Sequence, residues 1–98
     1  MITKNEILDF LRKENEYLSN NFYVTSIGLF GSYAKNEMTD KSDIDILVEF
    51  QDGHNNLFNF FDLREYLENS LKKEVDLIYK IGVRQQLKDE IFGSVIYA

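Results

Sequence analysis

The sequence has 98 residues, of which 44% are hydrophobic, and a formal net charge of −6. This length suits one compact domain spanning residues 1–98, and the composition is typical of a globular rather than a disordered chain. Cysteine is absent, which excludes disulfides, thiolate metal sites and cysteine nucleophiles. The acidic excess argues against direct binding to nucleic acid, because that affinity comes mainly from Lys and Arg neutralising phosphates.

No continuous apolar stretch in the sequence is long enough for a signal peptide or a membrane span. We therefore expect a cytoplasmic protein without a membrane partner. The negative charge also fits a partner with a basic surface, or a site that collects divalent cations. The sequence leaves homo-oligomers and hetero-oligomers equally open.

Helical and strand patterns alternate along the chain. A capping-box pattern at Thr3 and Glu6 opens the first helix, and a turn signal containing Asp-Gly occupies residues 51–56. The predicted elements are a helix over 3–20, a strand over 23–30, a helical turn over 32–37, a strand over 43–50, a helix over 57–71, a strand over 74–79 and a helix over 84–92. Residues 95–97 either extend the last helix or add a short edge strand. This order predicts an α/β (α+β) fold with a small mixed β-sheet flanked by helices.

Asp43 and Asp45 stand at the start of the second predicted strand, on either side of Ile44. Side chains at i and i+2 of a strand point to the same face, so their Cα atoms should lie roughly 6–7 Å apart. Two carboxylates this close repel each other, and Mg²⁺ would offset that repulsion because it binds carboxylates together with water and substrate phosphates. The alternative is a solvated strand start with two surface acids.

Gly31-Ser32 follows the first strand and precedes the predicted helical turn, which has Ser32 as its N-cap. A glycine there lets a phosphate approach the backbone, and free N–H groups at a helix start favour an anion. The Lys35 ammonium, one turn later, could reach the same phosphate. The alternatives are an ordinary tight turn and a solvated surface lysine.

Asp76 lies in the third predicted strand between apolar neighbours, where an unpaired carboxylate is costly. If this strand pairs with the strand of Asp43 and Asp45, the three acids converge at one edge of the sheet. They would then supply ligands for one or two metals and a base near an incoming hydroxyl. The alternative places Asp76 on the solvent face of an antiparallel strand.

Gly31-Ser32, ten further residues and then Asp43-Ile44-Asp45 resemble the Gly-Ser-x10-Asp-x-Asp signature of the polymerase-beta nucleotidyltransferase superfamily. The surrounding residues resemble its minimal nucleotidyltransferase (MNT) branch, the antitoxins of HEPN/MNT toxin–antitoxin pairs. The core match covers residues 28–50, and the strand of Asp76 together with the chain length extends it to nearly the whole sequence. The spaced signature is far more specific than any of its parts.

The resemblance implies a nucleotidyltransferase fold and a role for each residue of the signature. Gly31 and Ser32 would hold the β- and γ-phosphates of a nucleoside triphosphate, and Asp43 and Asp45 would hold Mg²⁺. Asp76 matches the third acidic position, which is often assigned to activating the acceptor hydroxyl and completes the predicted metal and catalytic set.

The resemblance also implies an activity, the transfer of AMP from ATP to a tyrosine hydroxyl of a partner HEPN-type toxin, for which the chain is the antitoxin. The sequence departs from the common pattern at Lys35 and Asn36, where Arg-Gly is frequent. A lysine keeps the charge but loses the bidentate fork of arginine. Two alternatives are a non-catalytic antitoxin that neutralises its toxin by binding, and a small-molecule nucleotidyltransferase.

The remaining candidate residues carry weaker signals. His54 is the only histidine and lies in a polar loop, which favours a solvated side chain over a catalytic one. Arg84 either contacts a nucleotide or is a surface charge at a helix start. Several aromatic residues of the long helix belong either to the core or to a surface that docks a partner, namely Phe58, Phe60, Phe61 and Tyr66.

Overall fold

The computed structural model describes residues 2–80 and 95–98. Its elements in chain order are α1 (Lys4–Lys13), α2 (Asn15–Phe22), β1 (Val24–Phe30), α3 (Gly31–Ala34), β2 (Ile44–Phe50), α4 (Leu57–Leu71), β3 (Val75–Tyr79) and β4 (Ile96–Tyr97). The strands form one sheet in the order β3-β2-β1-β4. β1 is antiparallel to β2 and to β4, whereas β2 and β3 are parallel. The predicted small mixed sheet with helices is therefore confirmed.

The predicted first helix is two helices, so the expectation of one helix over residues 3–20 is wrong. Its start is as predicted, because the Thr3 hydroxyl accepts from the Glu6 N–H and the Glu6 carboxylate accepts from the Thr3 N–H, each at 3.2 Å. The break falls at Glu14, inside the polar run of residues 12–16. No apolar side chain in that run packs on the core, so nothing there holds the helix axis straight.

α4 begins and ends as the sequence predicts, at Leu57 and Leu71. The Asn56 side chain caps its first turn by accepting from the Asn59 N–H at 2.9 Å. The helix leads from the end of β2 back to the start of β3, and this return makes the two strands parallel. The starts of β2 and β3 therefore share one end of the sheet.

Apolar side chains from the helices and from the buried positions of the strands form the main core. This core consists of Ile7, Leu8, Leu11, Leu18, Val24, Ile27, Leu29, Tyr33, Ile44, Ile46, Val48, Phe50, Leu63, Leu67, Leu71, Val75 and Leu77. β2 contributes a nearly continuous buried run, as expected for a central strand paired on both sides. The chemistry of the protein therefore lies at the sheet end and not within the sheet.

Three further predictions meet different outcomes. The second strand begins at Ile44, so Asp43 precedes it rather than opening it. Residues 96–97 pair with β1, which selects the edge strand over an extension of the last helix. The helix predicted over residues 84–92 lies outside the described residues. In the described ranges no helix is long and apolar enough to cross a membrane.

Candidate active site at the start of the parallel strands

The parallel pairing of β2 with β3 sets Asp45 directly beside Asp76. The pairing begins at the sheet end, where the Ile44 N–H donates to the Glu74 carbonyl oxygen at 3.0 Å. On the other side of β2, Asp45 faces Phe30 at the end of β1. The strand order thus places the predicted acids next to the turn that follows β1. The sequence alone predicted their convergence only on the condition that the strand of Asp76 pairs with the strand of Asp45.

Gly31 makes that turn and lies against the Asp45 side chain. Its φ is +71°, a left-handed conformation that L side chains rarely adopt. A Cβ atom on Gly31 would lie 2.9 Å from Asp45 Cγ and closer still to one carboxylate oxygen. The glycine is therefore required both by its backbone angle and by the close approach of Asp45.

The predicted N-cap role of Ser32 is wrong. The short helix α3 begins at Gly31 with Phe30 as its N-cap, and no side chain caps it. Because the left-handed Gly31 already turns the chain, Ser32 falls inside the helical turn, where its carbonyl oxygen accepts from the Glu37 N–H at 2.8 Å. The Ser32 hydroxyl thus has no part in capping the turn.

The three acids interact electrostatically around Asp45. Burial, which is the largest cause, and the negative charges of Asp76 and Asp43 together raise the pKa of Asp45 from 3.8 to about 6, and the proximity of the Asp76 carboxylate acts in the same direction. Each of these causes disfavours the ionised carboxylate. The expected convergence is thus seen as a pair of acids side by side on neighbouring strands, Asp45 and Asp76, with Asp43 close enough to repel.

This donor set suits a hard divalent cation, although it is not a closed cage. Among residues 2–80 and 95–98, no three His, Cys, Asp or Glu side chains are arranged so that they could hold a metal ion. Mg²⁺ is commonly held by one or two carboxylates, with water and substrate phosphates completing its octahedron. The mutual repulsion around Asp45 is what a cation would relieve, so the chemistry fits, and the ligand roles of Asp43, Asp45 and Asp76 stay predictions.

Asp76 itself is exposed, so the expected cost of burying it does not arise. Its strand is parallel to β2, unlike the antiparallel strand of the alternative interpretation. An exposed carboxylate paired with a half-buried one gives the two acids different environments.

Lys35 and Asn36 follow α3 at the positions where the sequence departs from the common pattern. Lys35 is exposed and ends the short helix. Asn36 has a φ of +57°, and asparagine is one of the few side chains that enter this left-handed region readily. The substitution of asparagine for the usual glycine therefore keeps the turn.

Two features near the site carry no clear sequence signal. The Tyr33 side chain is fully buried, and its hydroxyl has no hydrogen-bond partner within the described part of the chain. A groove of about 630 Å³ lies beside the loop before Asp43, lined by Ile2, Glu6, Asp40, Leu71, Lys72 and Lys73. None of the three predicted site acids lines this groove. In the sequence Tyr33 is an ordinary aromatic residue, and only its packing shows that its hydroxyl has no hydrogen-bond partner among the described residues.

The other candidates separate into buried and exposed groups. His54 stacks on Tyr23 with ring centroids 3.6 Å apart, at the opposite end of β2 from the acids. Phe60 and Tyr66 pack partly against the core, whereas Phe58 and Phe61 are exposed. Arg84 lies outside the described residues.

The family model of the nucleotidyltransferase domain matches residues 6–98. The chain belongs to this nucleotidyltransferase family. The Methanocaldococcus jannaschii protein MJ0128, to which protein adenylyltransferase activity is ascribed, is 46% identical and covers 99% of each chain. The protein adenylyltransferase MntA of Thermococcus cleftensis is 37% identical, over 99% of this chain and 97% of its own.

Solved structures place this nucleotidyltransferase in the minimal branch. A structure described as a minimal nucleotidyltransferase has a TM-score of 0.75 and 29% identity, covering 91% of this chain and 93% of its own. A chain from a toxin–antitoxin crystal structure with AMP-PNP has a TM-score of 0.69 and 26% identity, covering 98% and 72%. A third comes from a tri-AMPylated Shewanella oneidensis HEPN toxin in complex with an MNT antitoxin, with a TM-score of 0.60, 26% identity and coverage of 96% and 66%.

The predicted family, fold and enzyme class are confirmed by these likenesses. The nucleotidyltransferase is related to protein adenylyltransferases and to the antitoxins of HEPN toxins. Its acceptor, its nucleotide and its metal belong to the proposal that follows.

Proposed function

We propose that this nucleotidyltransferase moves AMP from Mg-ATP to a hydroxyl group, that of a tyrosine, on a partner HEPN-type toxin, and so acts as its antitoxin. The observation that carries the proposal is the Asp45–Asp76 pair beside the left-handed Gly31. A protein that only binds a toxin has no need to hold two acids together at an energetic cost. The proposal includes a cytoplasmic location.

Two groups of residues would bind the metal and the nucleotide. Asp43, Asp45 and Asp76 would hold one or two Mg²⁺ ions at the starts of β2 and β3. The backbone of Gly31 and the Ser32 hydroxyl would hold the β- and γ-phosphates, and the exposed Lys35 would add a positive charge beside them. Bound Mg²⁺ would supply neutralisation of the triphosphate and alignment of the leaving pyrophosphate.

The chemical step is an in-line displacement at the α-phosphorus. The acceptor oxygen forms a bond to the α-phosphorus while the bond from that phosphorus to the α,β-bridging oxygen breaks, so AMP is transferred and pyrophosphate leaves. The proton of the acceptor hydroxyl passes to an Asp76 carboxylate oxygen. Asp76 suits this role because it is exposed to an incoming protein, whereas Asp45 is half-buried against Gly31.

The comparisons support a protein acceptor. The two relatives are a protein adenylyltransferase and a protein of ascribed adenylyltransferase activity. One structural neighbour stands in complex with a HEPN toxin that carries three AMP groups. Another was crystallised with AMP-PNP, an ATP analogue, which favours ATP as the nucleotide.

The test uses the purified chain, MgCl₂, α-labelled ATP and a purified HEPN-type toxin protein as the acceptor. We expect label on that protein with the parent chain, and at least a 100-fold slower reaction with Asp45→Asn, the size of effect typical of losing a group that stabilises the transition state. Asp9→Asn is the matched control, because it removes an exposed acid on α1 away from the site.

Each result of this assay has a separate meaning. Label that depends on Asp45 but not on Asp9, and that disappears with EDTA, supports the transferase. Equal labelling by the parent and Asp45→Asn would refute the assignment of the acids. Tight complex formation without any label from the parent would replace the proposal by a contact antitoxin.

A further inference from the structure

The start of α4 exposes three large apolar side chains to solvent. The exposed fractions are 67% for Leu57, 85% for Phe58 and 52% for Phe61. The two phenylalanines alone leave on the order of 300 Å² of apolar area in water, the scale of a functional patch on a small protein. We call these three side chains the α4 patch.

The α4 patch lies on the helix face that folding does not use. At 100° per residue, Leu57, Phe61 and Phe58 occupy an arc of about 100°. The buried residues Leu63, Leu67 and Leu71 fall on a separate, neighbouring arc that faces the core. Phe61 touches only the edge of the Phe60 ring, with centroids 5.5 Å apart, so burial of α4 leaves most of the α4 patch unexplained.

Acidic side chains border the α4 patch. Asp62 borders the apolar arc and Glu65 falls within it, one turn beyond Phe61, and both are exposed. Arg64 borders the arc on the other side but pairs with Glu68 at 3.7 Å, so this pair adds no net charge. Asp52 is exposed in the loop that leads into the helix. A surface that covers the α4 patch thus meets a negative rim around an apolar centre.

This charge pattern decides between two occupants. A second copy of the chain carries the same net charge of −6 and would oppose its own Asp62 and Glu65 to those of the first copy, which disfavours self-association. A partner with apolar side chains ringed by Lys or Arg complements both the centre and the rim.

The α4 patch and the acids lie at opposite ends of the sheet. α4 begins after β2 ends, whereas Asp45 and Asp76 stand at the starts of β2 and β3. The seven residues of β2 separate these ends by roughly 20 Å. A partner held at the α4 patch therefore leaves the acids open to one of its own exposed segments.

We propose that Leu57, Phe58 and Phe61 form the docking surface for the partner protein that receives AMP, and that the covering surface is apolar with a basic rim. This inference rests on the proposed function for the identity of the partner. It adds that recognition and transfer occur at separate places, so that the partner is held about a strand length from the site where its hydroxyl reacts.

The experiment compares the parent chain with a Phe58→Ser/Phe61→Ser variant, using the HEPN-type toxin protein of the transfer assay as the binding probe. We expect the variant to bind this protein at least about 30-fold more weakly, since buried aromatic anchors carry most of the affinity of an interface. AMP transfer at low partner concentration should fall by the same factor. Binding of Mg-ATP should not change, because the α4 patch is distant from the acids.

Two further variants sharpen the comparison. Tyr97→Ser removes a 41%-exposed aromatic side chain on β4, at the other edge of the sheet, and should bind as the parent does. Asp62→Lys/Glu65→Lys keeps the apolar centre but reverses the rim. This variant should associate with the partner more slowly than the parent does, and added salt should no longer decrease the association rate.

Four outcomes would overturn the inference. The first is parent-like binding by Phe58→Ser/Phe61→Ser, and the second is a parent chain that does not bind the probe. The third is a dimer of the isolated chain in light scattering that this variant dissociates. The fourth is a clear loss of thermal stability in the isolated variant, which would mean that the chain covers the α4 patch itself.

The failure of the inference can be told from that of the proposed function. Parent-like transfer by Phe58→Ser/Phe61→Ser at low partner concentration refutes the docking surface and leaves the transferase intact. Binding that depends on the α4 patch without any transfer by the parent refutes the transferase and leaves the docking surface.

Discussion

Asp45 is held in the folded protein at an electrostatic cost. Its pKa is about 6 in place of 3.8, so over this range the folded protein binds more protons than the unfolded chain. Stability therefore falls as pH rises from about 4 to about 6, and the full cost is present above the folded pKa. Two pKa units correspond to at most about 3 kcal/mol, and solvent screening of this half-exposed group reduces that to about 1–2 kcal/mol.

Asp45→Asn should accordingly stabilise the protein while it abolishes transfer. We expect a gain of about 1 kcal/mol in the free energy of unfolding at pH 7.5, because the amide removes the repulsion and can donate to Asp76. The gain should shrink toward pH 4, where the parent carboxyl is protonated. Urea unfolding at both pH values measures it. A destabilised variant at pH 7.5 would show that Asp45 is not under repulsion.

Tyr33 is the second residue whose burial costs free energy of folding, because its hydroxyl has no hydrogen-bond partner among the described residues. Burial raises the pKa of Tyr33, and the negative charge of Asp40 raises it further. An unpaired buried hydroxyl costs about 1–3 kcal/mol, so Tyr33→Phe should leave the stability unchanged or raise it by about 1 kcal/mol. Thermal unfolding of the two proteins tests this. A loss of more than about 1 kcal/mol would reveal a bound partner for the hydroxyl.

At the scale of elements, the sequence predicts best where several local signals agree. α4 has a capping asparagine, an apolar helical spacing and neither Gly nor Pro within it, and both of its ends are predicted correctly. The break at Glu14 was missed because polar helix-forming residues continue through it. The cap predicted at Ser32 is wrong because a left-handed glycine, which no spacing reveals, turns the chain one residue earlier.

α4 ends at Leu71 and is capped by Lys72, whose φ is +57°, a conformation usually taken by glycine at a helix end. Lys72→Gly should raise stability by about 0.5–1 kcal/mol, because it removes the strain of a side chain in the left-handed region. Glu65→Gly in the exposed middle of the same helix is the opposite control and should cost about 1 kcal/mol. Chemical denaturation of both variants measures the difference. Equal effects of the two glycines would contradict this account of the helix end.

At the scale of the whole molecule, the candidate site depends on a pairing that sequence reasoning could state only as a condition. The motif from Gly31 to Asp45 is local and was predicted from its spacing. Asp76 follows Asp45 by about 30 residues, and its position depends on which strand β3 pairs with and in which direction. The partner and direction of β3 are set by how the connecting helix α4 packs on the sheet, and not by the residues of the strand itself.

The surface of α4 likewise combines features that the sequence predicts with features that only the fold shows. The sequence allowed the aromatic residues of α4 to be core or docking surface, because both uses favour the same residue types. The structure separates them by helical face: Phe60 packs inward while Phe58 and Phe61 face solvent. Which protein covers them is a property of a second molecule and stays a proposal.

Because the chain has no cysteine, a fluorescent reporter can be attached specifically to a thiol introduced in the loop before α4. Asn55 is exposed there, next to the α4 patch and a strand length from the acids. A single thiol introduced by Asn55→Cys would be the only one to react with a maleimide dye. Such a fluorophore would sense the arrival of a protein at the helix without disturbing the nucleotide, so that docking and transfer could be timed separately in one reaction.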